Sequence, residues 1–417
     1  MQILFKNPAQ IVTVNTNGIN YKRGKDTSEL DVLKAHSILV ENGIIKKIIP
    51  NKNLDKVIVD KEIDLTSKII LPGIVECHTH TVFAGTRAKE FRKRLSGTSY
   101  EKITKSGGGI NTTVKAVRNS SFEELIEIAE PKINEFITQG VTTLEIKSGY
   151  GLSYYDEIKL LQVINHLNLN CSIDIIPTFL GAHTFPPEYA NDKDQYIKIL
   201  TDELIPYIAE NKLAKSCDAF CEATAFSAKQ IDKIFEVAKN NGLDIKLHTE
   251  QFNSVGGLDV ALKHNAKSVD HLEVLGDAGI AKLSNSDTVA VLLPGVSYFL
   301  QYSFAPGRKL IDNNSIVALA TDYNPGSSHI SNISMIMSLA AFKMNMTTEE
   351  IISAYTINSA KALGVSNSVG SIEVGKVADF SIYNTSGYSD IIYNVGKNLN
   401  CLTVKNGEVI YRKITEQ

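Results

Sequence analysis

Val75–Gly85 reads VECHTHTVFAG, an apolar run leading straight into two histidines one residue apart. On a strand, side chains at i and i+2 share a face, so His78 and His80 point the same way while Cys77 and Thr79 turn to the other side. Such a pair can grip a metal ion, and it can equally be a hydrogen-bonded pair in a core. The pair alone does not decide between these, but its surroundings do.

Outward from this stretch the chain repeats apolar run, polar loop and amphipathic helix, the rhythm of βα units on a parallel sheet. The candidate strands are IVECHTH (74–80), VTTLEIKSG (141–149), IDIIPTFLGAH (173–183), DAFCE (218–222), LDIKLHTE (243–250), KSVDHLE (267–273), TVAVLLPG (288–295) and IVALATDYNPG (316–326). They number eight, the count that closes a (β/α)8 barrel, and 417 residues accommodate a barrel of ~250 plus a modest accessory unit. The expected fold is α/β, with a TIM-type barrel over 67–365.

Residues 1–66 and 366–417 read differently, as short β-rich pieces with Asn-Gly hairpin signals at Asn42-Gly43 and Asn406-Gly407. Neither end is long enough for its own core, so the two are expected to pack as one composite β-sandwich domain. One helix can be read closely. Ser121 and Glu124 form a capping box, Leu125, Ala129, Ile133, Phe136 and Ile137 make an apolar face, and Gly140 ends it. Pro131 inside this pattern predicts a kink or two shorter helices.

Lys+Arg 43 against Asp+Glu 46, with both signs interspersed, leaves no basic stripe for nucleic acid and points to a small-molecule partner. The N-terminus lacks the apolar core of a signal peptide, and no run of ~18 apolar residues suggests a membrane span. Five cysteines without CxxC spacing suit reduced thiols, so a cytoplasmic location is expected.

Chemistry in such a barrel gathers at the C-terminal ends of the strands. Those ends hold His78 and His80, Glu145 and Lys147, His183, Glu222, His248 and Glu250, Asp270 and His271, and Asp322. Barrel closure sets strand eight beside strand one, so His78, His80, His248 and Asp322 can converge as an N3O set suited to Zn²⁺ or Fe²⁺ with a position left for water. The competing reading makes each an independent core polar residue and requires four coincidences at equivalent strand ends. SGGGIN (106–111) lacks the Lys-Ser/Thr of a P-loop and reads as a loop near the mouth, a candidate lid.

These residues resemble the amidohydrolase superfamily. LPGIVECHTHTVFAGTRAKEFRKRLSGTSYEKI, GGGINTTV, VTTLEIKSGYGL, FLGAH, FCE, VDHLE, LLPGVSYFL and ALATDYNPGSS together resemble its imidazolonepropionase family over essentially the whole chain. The resemblance implies hydrolytic opening of 4-imidazolone-5-propanoate to N-formimidoyl-L-glutamate, one divalent metal bound by His78, His80, His248 and Asp322, and a homodimer. It implies substrate contacts at Arg87, Tyr100, Tyr150, His183, Gln251, His271, Asn324, Gly326 and Ser327.

On that basis Asp322 is expected to accept and return a proton, His271 to orient water, His183 to donate to the carbonyl oxygen, and Arg87 with Tyr100 and Tyr150 to hold the propionate. The family carries Glu as well as Gln at 251, which leaves Gln251 unsuited to any role needing a carboxylate. Arg87 can alternatively be a solvated helix residue paired to Glu90. Glu222 occupies the neighbourhood of the bridging group in two-metal relatives; with one metal it is expected to pair with Lys147 or to hydrogen-bond within the site. The runner-up reading is another amidohydrolase, such as a nucleobase deaminase, without the anion anchor. A barrel that binds but does not catalyse is argued against by the intact ligand set.

Overall fold

The computed structural model describes residues 1–97 and 108–414. Eight parallel strands pair in sequence order: β1 Ile74–Glu76, β2 Val141–Lys147, β3 Asp174–Ala182, β4 Ser216–Cys221, β5 Asp244–Thr249, β6 Ser268–His271, β7 Val289–Leu292 and β8 Val317–Leu319. All eight candidate strands are present. Beyond their ladders the ring closes, because Thr79 forms a parallel bridge with Tyr323 and the His80 amide donates to the Tyr323 carbonyl at 3.0 Å. The Glu76 carboxylate reinforces the seam, accepting from the amides of Thr321 and His78, each at 3.1 Å.

Both chain ends build a β-sandwich beside the barrel. One sheet pairs Ile44–Pro50, His36–Glu41, Gln2–Lys6 and Lys61–Asp64 in that order. The other contains six strands, and in it Ile69–Pro72 pairs antiparallel with Phe380–Tyr383, so the two ends share a sheet. Ile3, Phe5, Ile38 and Val40 bury against Phe380, Ile382, Leu402 and Val404. The core is therefore composite, as neither end supplies both walls. Asn42-Gly43 and Asn406-Gly407 turn their hairpins with positive φ at both residues (50° and 81°, 51° and 78°), the twist that a two-residue loop requires.

The capping box at Ser121 and Glu124 forms as read, but Pro131 does not split the element: Phe122–Thr138 is one continuous helix. Its buried face of Leu125, Ala129, Ile133, Phe136 and Ile137 holds the segment together across the lost backbone bond, while Pro131 itself is exposed. An interior proline costs a helix about 3 kcal/mol, partly offset by its stiffening of the unfolded chain. Pro131→Ala is thus expected to stabilise the protein by about 1–3 kcal/mol. A denaturant midpoint unchanged or lowered in the variant would contradict this.

Candidate metal centre and active site

Residues 77–80 run past the end of β1 and carry His78 and His80 to the barrel mouth, where both are almost fully buried. The ligand atoms of His78, His80 and Asp322 lie within 4.8 Å of one another, and so do those of His78, His248 and His271. His78 belongs to both groups, so the structure gathers the three expected imidazoles and the carboxylate and adds His271. The Asp322 Oδ1 is 3.4 Å from Nε2 of both His78 and His80.

Hydrogen bonding tests whether these side chains suit a cation. Nε2 of His78, Nε2 of His248 and Oδ1 of Asp322 are buried without any partner. The opposite ring atoms are occupied: His78 Nδ1 lies 2.6 Å from Asp270 Oδ2, and His248 Nδ1 lies 3.1 Å from Asp218 Oδ1. An ionised carboxylate can only accept, so Nδ1 carries the proton and Nε2 presents its lone pair. Carboxylates behind histidines in this way are typical supports of metal ligands. Each unmatched buried polar group costs about 1–3 kcal/mol, and one divalent transition-metal ion would satisfy these three together.

The charges agree. Burial alone would raise the Asp322 carboxyl, yet it stays well below the usual carboxylate range. Asp218 is held low against its burial by His248 and Lys147. Burial keeps the His248 and His80 rings neutral, the form that ligates. The backbone is strained where these side chains leave their strands, with φ of 56° at Glu250, 88° at His271 and 47° at Asp322.

A second set of residues walls the site. The His80 and His183 rings stack at 5.3 Å, and Tyr150 lies 5.5 Å from each. His183 Nδ1 is 3.0 Å from the Gly149 carbonyl, so it donates there, and burial with the neighbouring His80 lowers its pKa to about 3. A neutral His183 of this tautomer presents an acceptor at Nε2, which does not fit the donor role expected of it. Gln251 Nε2 donates to Tyr302 Oη at 3.0 Å, Tyr302 leans on Glu273 at 3.4 Å, and Glu273 sits 3.4 Å behind His271 Nδ1. Burial would lower the His271 pKa, but Glu273 raises it.

On the strand-eight side, Asn324 Oδ1 accepts from the amides of Gly326 and Ser327, both at 2.8 Å, and its Nδ2 donates to the Asp322 carbonyl at 2.7 Å. The Asn324 side chain therefore shapes the turn. A Cβ added at Gly326 would lie 1.9 Å from Arg87 Nη1, so only glycine lets the guanidinium pack there. Arg87 also donates from Nε to Glu90 at 2.8 Å, and its side chain is 9% exposed. The pairing with Glu90 is real, but the solvated helix face is not. Tyr100 and the first two residues of SGGGIN lie outside the described residues; its last two, Ile110 and Asn111, begin the helix Ile110–Asn119.

A sequence model of the amidohydrolase family matches residues 69–410. Imidazolonepropionase from Clostridium tetani is 41% identical over 99% of this chain and 98% of its own length. That of Christiangramia forsetii is 41% identical over 98% and 100%. The chain belongs to the imidazolonepropionases of the amidohydrolase family. Among solved structures, an adenosine deaminase from Xanthomonas campestris with bound zinc superposes with a TM-score of 0.73 at 17% identity, covering 98% of this chain and 92% of the other. A triazine hydrolase from Arthrobacter aurescens gives 0.73 at 16%, covering 99% and 95%. These two likenesses concern the barrel-and-sandwich fold.

In this imidazolonepropionase-family chain Glu222 does not meet Lys147. It accepts from the backbone amides of Ala223, Phe252 and Asn253 and so fastens the loop after β5. Lys147 instead pairs with Asp218, Glu145 and Asp270. Asp218, His248 and Asp270 form a further group of donor atoms, and that ammonium already neutralises it. Asp218, Asp270, Glu273 and Tyr302 carry no role in the sequence reading. Their available signal was position: Asp218 and Asp270 lie on β4 and β6 at interior registers, where an unpaired carboxylate is not tolerated. Cys77 and Cys221 are buried with raised thiol pKa values, about 12 for Cys221, and pack away from the site. His248→Ala is expected to remove bound metal while the fold persists. Elemental analysis showing wild-type metal content in a cooperatively melting variant would exclude His248 as a ligand.

Proposed function

We infer that this protein hydrolyses 4-imidazolone-5-propanoate to N-formimidoyl-L-glutamate, using His78, His80, His248 and Asp322 to hold one zinc or iron ion. The observation that carries this reading is that one turn joins two requirements of the substrate. Asp322 belongs to the donor cluster, and Gly326, four residues on, touches Arg87. A lactam ring bearing a short carboxylate arm spans such a pair of subsites.

The metal, when bound, supplies Lewis acidity toward water and the ring carbonyl. Arg87, steadied by Glu90, receives the propionate, and Tyr150 walls the site beside His80 and His183. His183, neutral and proton-bearing at Nδ1, accepts at Nε2 from a ring N–H. His271, backed by Glu273, orients the attacking water from the opposite side. Asp322 takes the water proton as the oxygen bonds to the carbonyl carbon, and returns it to the ring nitrogen as the C–N bond breaks. That nitrogen becomes the terminal nitrogen of the formimidoyl group, which stays on the product through the other ring nitrogen, and the carbonyl carbon becomes the new carboxylate. Gln251 holds Tyr302 and positions rather than exchanges protons.

The test supplies imidazolone propionate, made freshly from urocanate by urocanase, to metal-loaded protein. Formimidoylglutamate is the expected product; no turnover, with deamination of a nucleobase in its place, would overturn the reading. Arg87→Ala and Gly326→Ala should each raise KM, by roughly ten- to hundredfold for loss of a charge-assisted pair worth about 1.5–3 kcal/mol. Metal content should stay at the wild-type level in both. Metal loss in either variant would contradict the separation of anchor from cation site.

A further inference from the structure

We propose that Lys147 is a positioning residue for the metal centre, setting the aim of His78 and His248 through the two aspartates behind them. The inference rests on the ligand assignment above and extends it one layer outward. Lys147 is fully buried at the end of β2 and touches neither the substrate wall nor the orphaned ligand atoms. Its Nζ lies 2.7 Å from Asp218 Oδ2 and 3.6 Å from Asp270 Oδ2. Asp218 presents its other oxygen to His248, while Asp270 offers the same Oδ2 to His78 at 2.6 Å. Among the described residues it is the one lysine or arginine in ion-pair contact with both aspartates. A single ammonium thus connects ligands on β1 and β5, strands that are not neighbours in the barrel.

The physical need is plain. Donor oxygens of Asp218 and Asp270 lie within 4.8 Å of each other, and two buried like charges at that range repel strongly. An ammonium in contact with both holds them together and fixes the direction in which each accepts from its imidazole. Lys147 is itself held from behind. Glu145 Oε2 lies 2.9 Å from its Nζ, and Glu145 in turn accepts from Lys246 at 2.8 Å and from Thr178 at 2.6 Å. A lysine needed only for packing or for neutralising one carboxylate would not require this cage on two sides.

The experiment measures metal affinity by chelator competition, and the visible absorption of the cobalt(II)-substituted protein, in wild type, K147M and K147R. With Lys147 positioning the ligands, K147M binds metal ~10–100-fold more weakly, the scale of outer-shell losses. Its cobalt spectrum shifts, and K147R, which keeps the charge but moves the donors, restores affinity only in part. Wild-type affinity and spectrum in a folded K147M overturn the proposal. Failure of both variants to fold also overturns it, assigning Lys147 to the fold instead. His248→Ala, measured alongside, separates the two levels: metal retained there defeats the ligand assignment itself, whereas metal lost there and unchanged in K147M defeats only the role of Lys147.

Discussion

Buried nitrogen and oxygen atoms with nothing to bond are the constraint around which this protein is arranged. Burying one such atom costs free energy, and His78 Nε2, His248 Nε2 and Asp322 Oδ1 are three that face inward at the same end of the barrel. Nothing in the packing forces this. His78 and His248 have partners available on their Nδ1 sides and use them, which is why their Nε2 atoms are left aimed at the centre. A divalent cation would satisfy all three at once. The aspartates behind the rings, the lysine behind the aspartates and the glutamate behind the lysine form successive layers of one support.

The outer layers explain why so much charge lies beneath the mouth. Lys147, Lys246, Glu145, Asp218 and Asp270 are all fully buried; the pairs among the first four are 2.7–2.9 Å, and Asp270 lies 3.6 Å from Lys147. Buried ion pairs are weak contributors to net stability, since desolvation offsets most of the attraction. Their value here is directional: each fixes the rotamer of the next side chain inward. The same trade is visible in the backbone, where Glu250, His271 and Asp322 adopt left-handed φ at strand ends. Such strain persists because hydrogen bonds flank it, as between Leu272 N and Thr249 O and between Val274 N and Glu250 O.

The barrel, its eight strands and the pairing of the two chain ends are all legible in the sequence, because period-two runs and Asn-Gly turns report directly on local backbone geometry. The convergence of His78, His80, His248 and Asp322 was legible too, since HxH and the strand-end His and Asp occupy equivalent positions in a repeating unit. The split read at Pro131 is absent because a local rule met a stronger tertiary one: the buried face of its helix outweighs one missing bond. Of the two roles open to Glu222, hydrogen bonding is found and the pair with Lys147 is not. Which partner a strand-end side chain reaches depends on rotamers that no spacing reveals. The tautomer of His183 was likewise invisible, being set by one backbone carbonyl, that of Gly149.

The sandwich has a part in this chemistry although it contributes no residue to the cluster. β1 and β8 are the shortest barrel strands, with three residues each, and their extensions carry His78, His80 and Asp322. Short strands hold their ends poorly, so these need external support. On one side Ile69–Pro72 is locked into the sandwich sheet against Phe380–Tyr383, Ser381 Oγ donates to the Pro72 carbonyl at 2.9 Å, and the Gly73 amide donates to Asp379. The chain enters β1 from that anchorage through Gly73, where a Cβ would lie 2.1 Å from Thr142 Oγ1. On the other side Asn358 donates to the Val317 carbonyl at 2.8 Å and also to that of Lys22, tying β8 to the N-terminal segment. Five residues separate the last sandwich position, Pro72, from His78, too few for slack to develop. The composite domain therefore anchors the chain that enters β1, a few residues before the HxH pair.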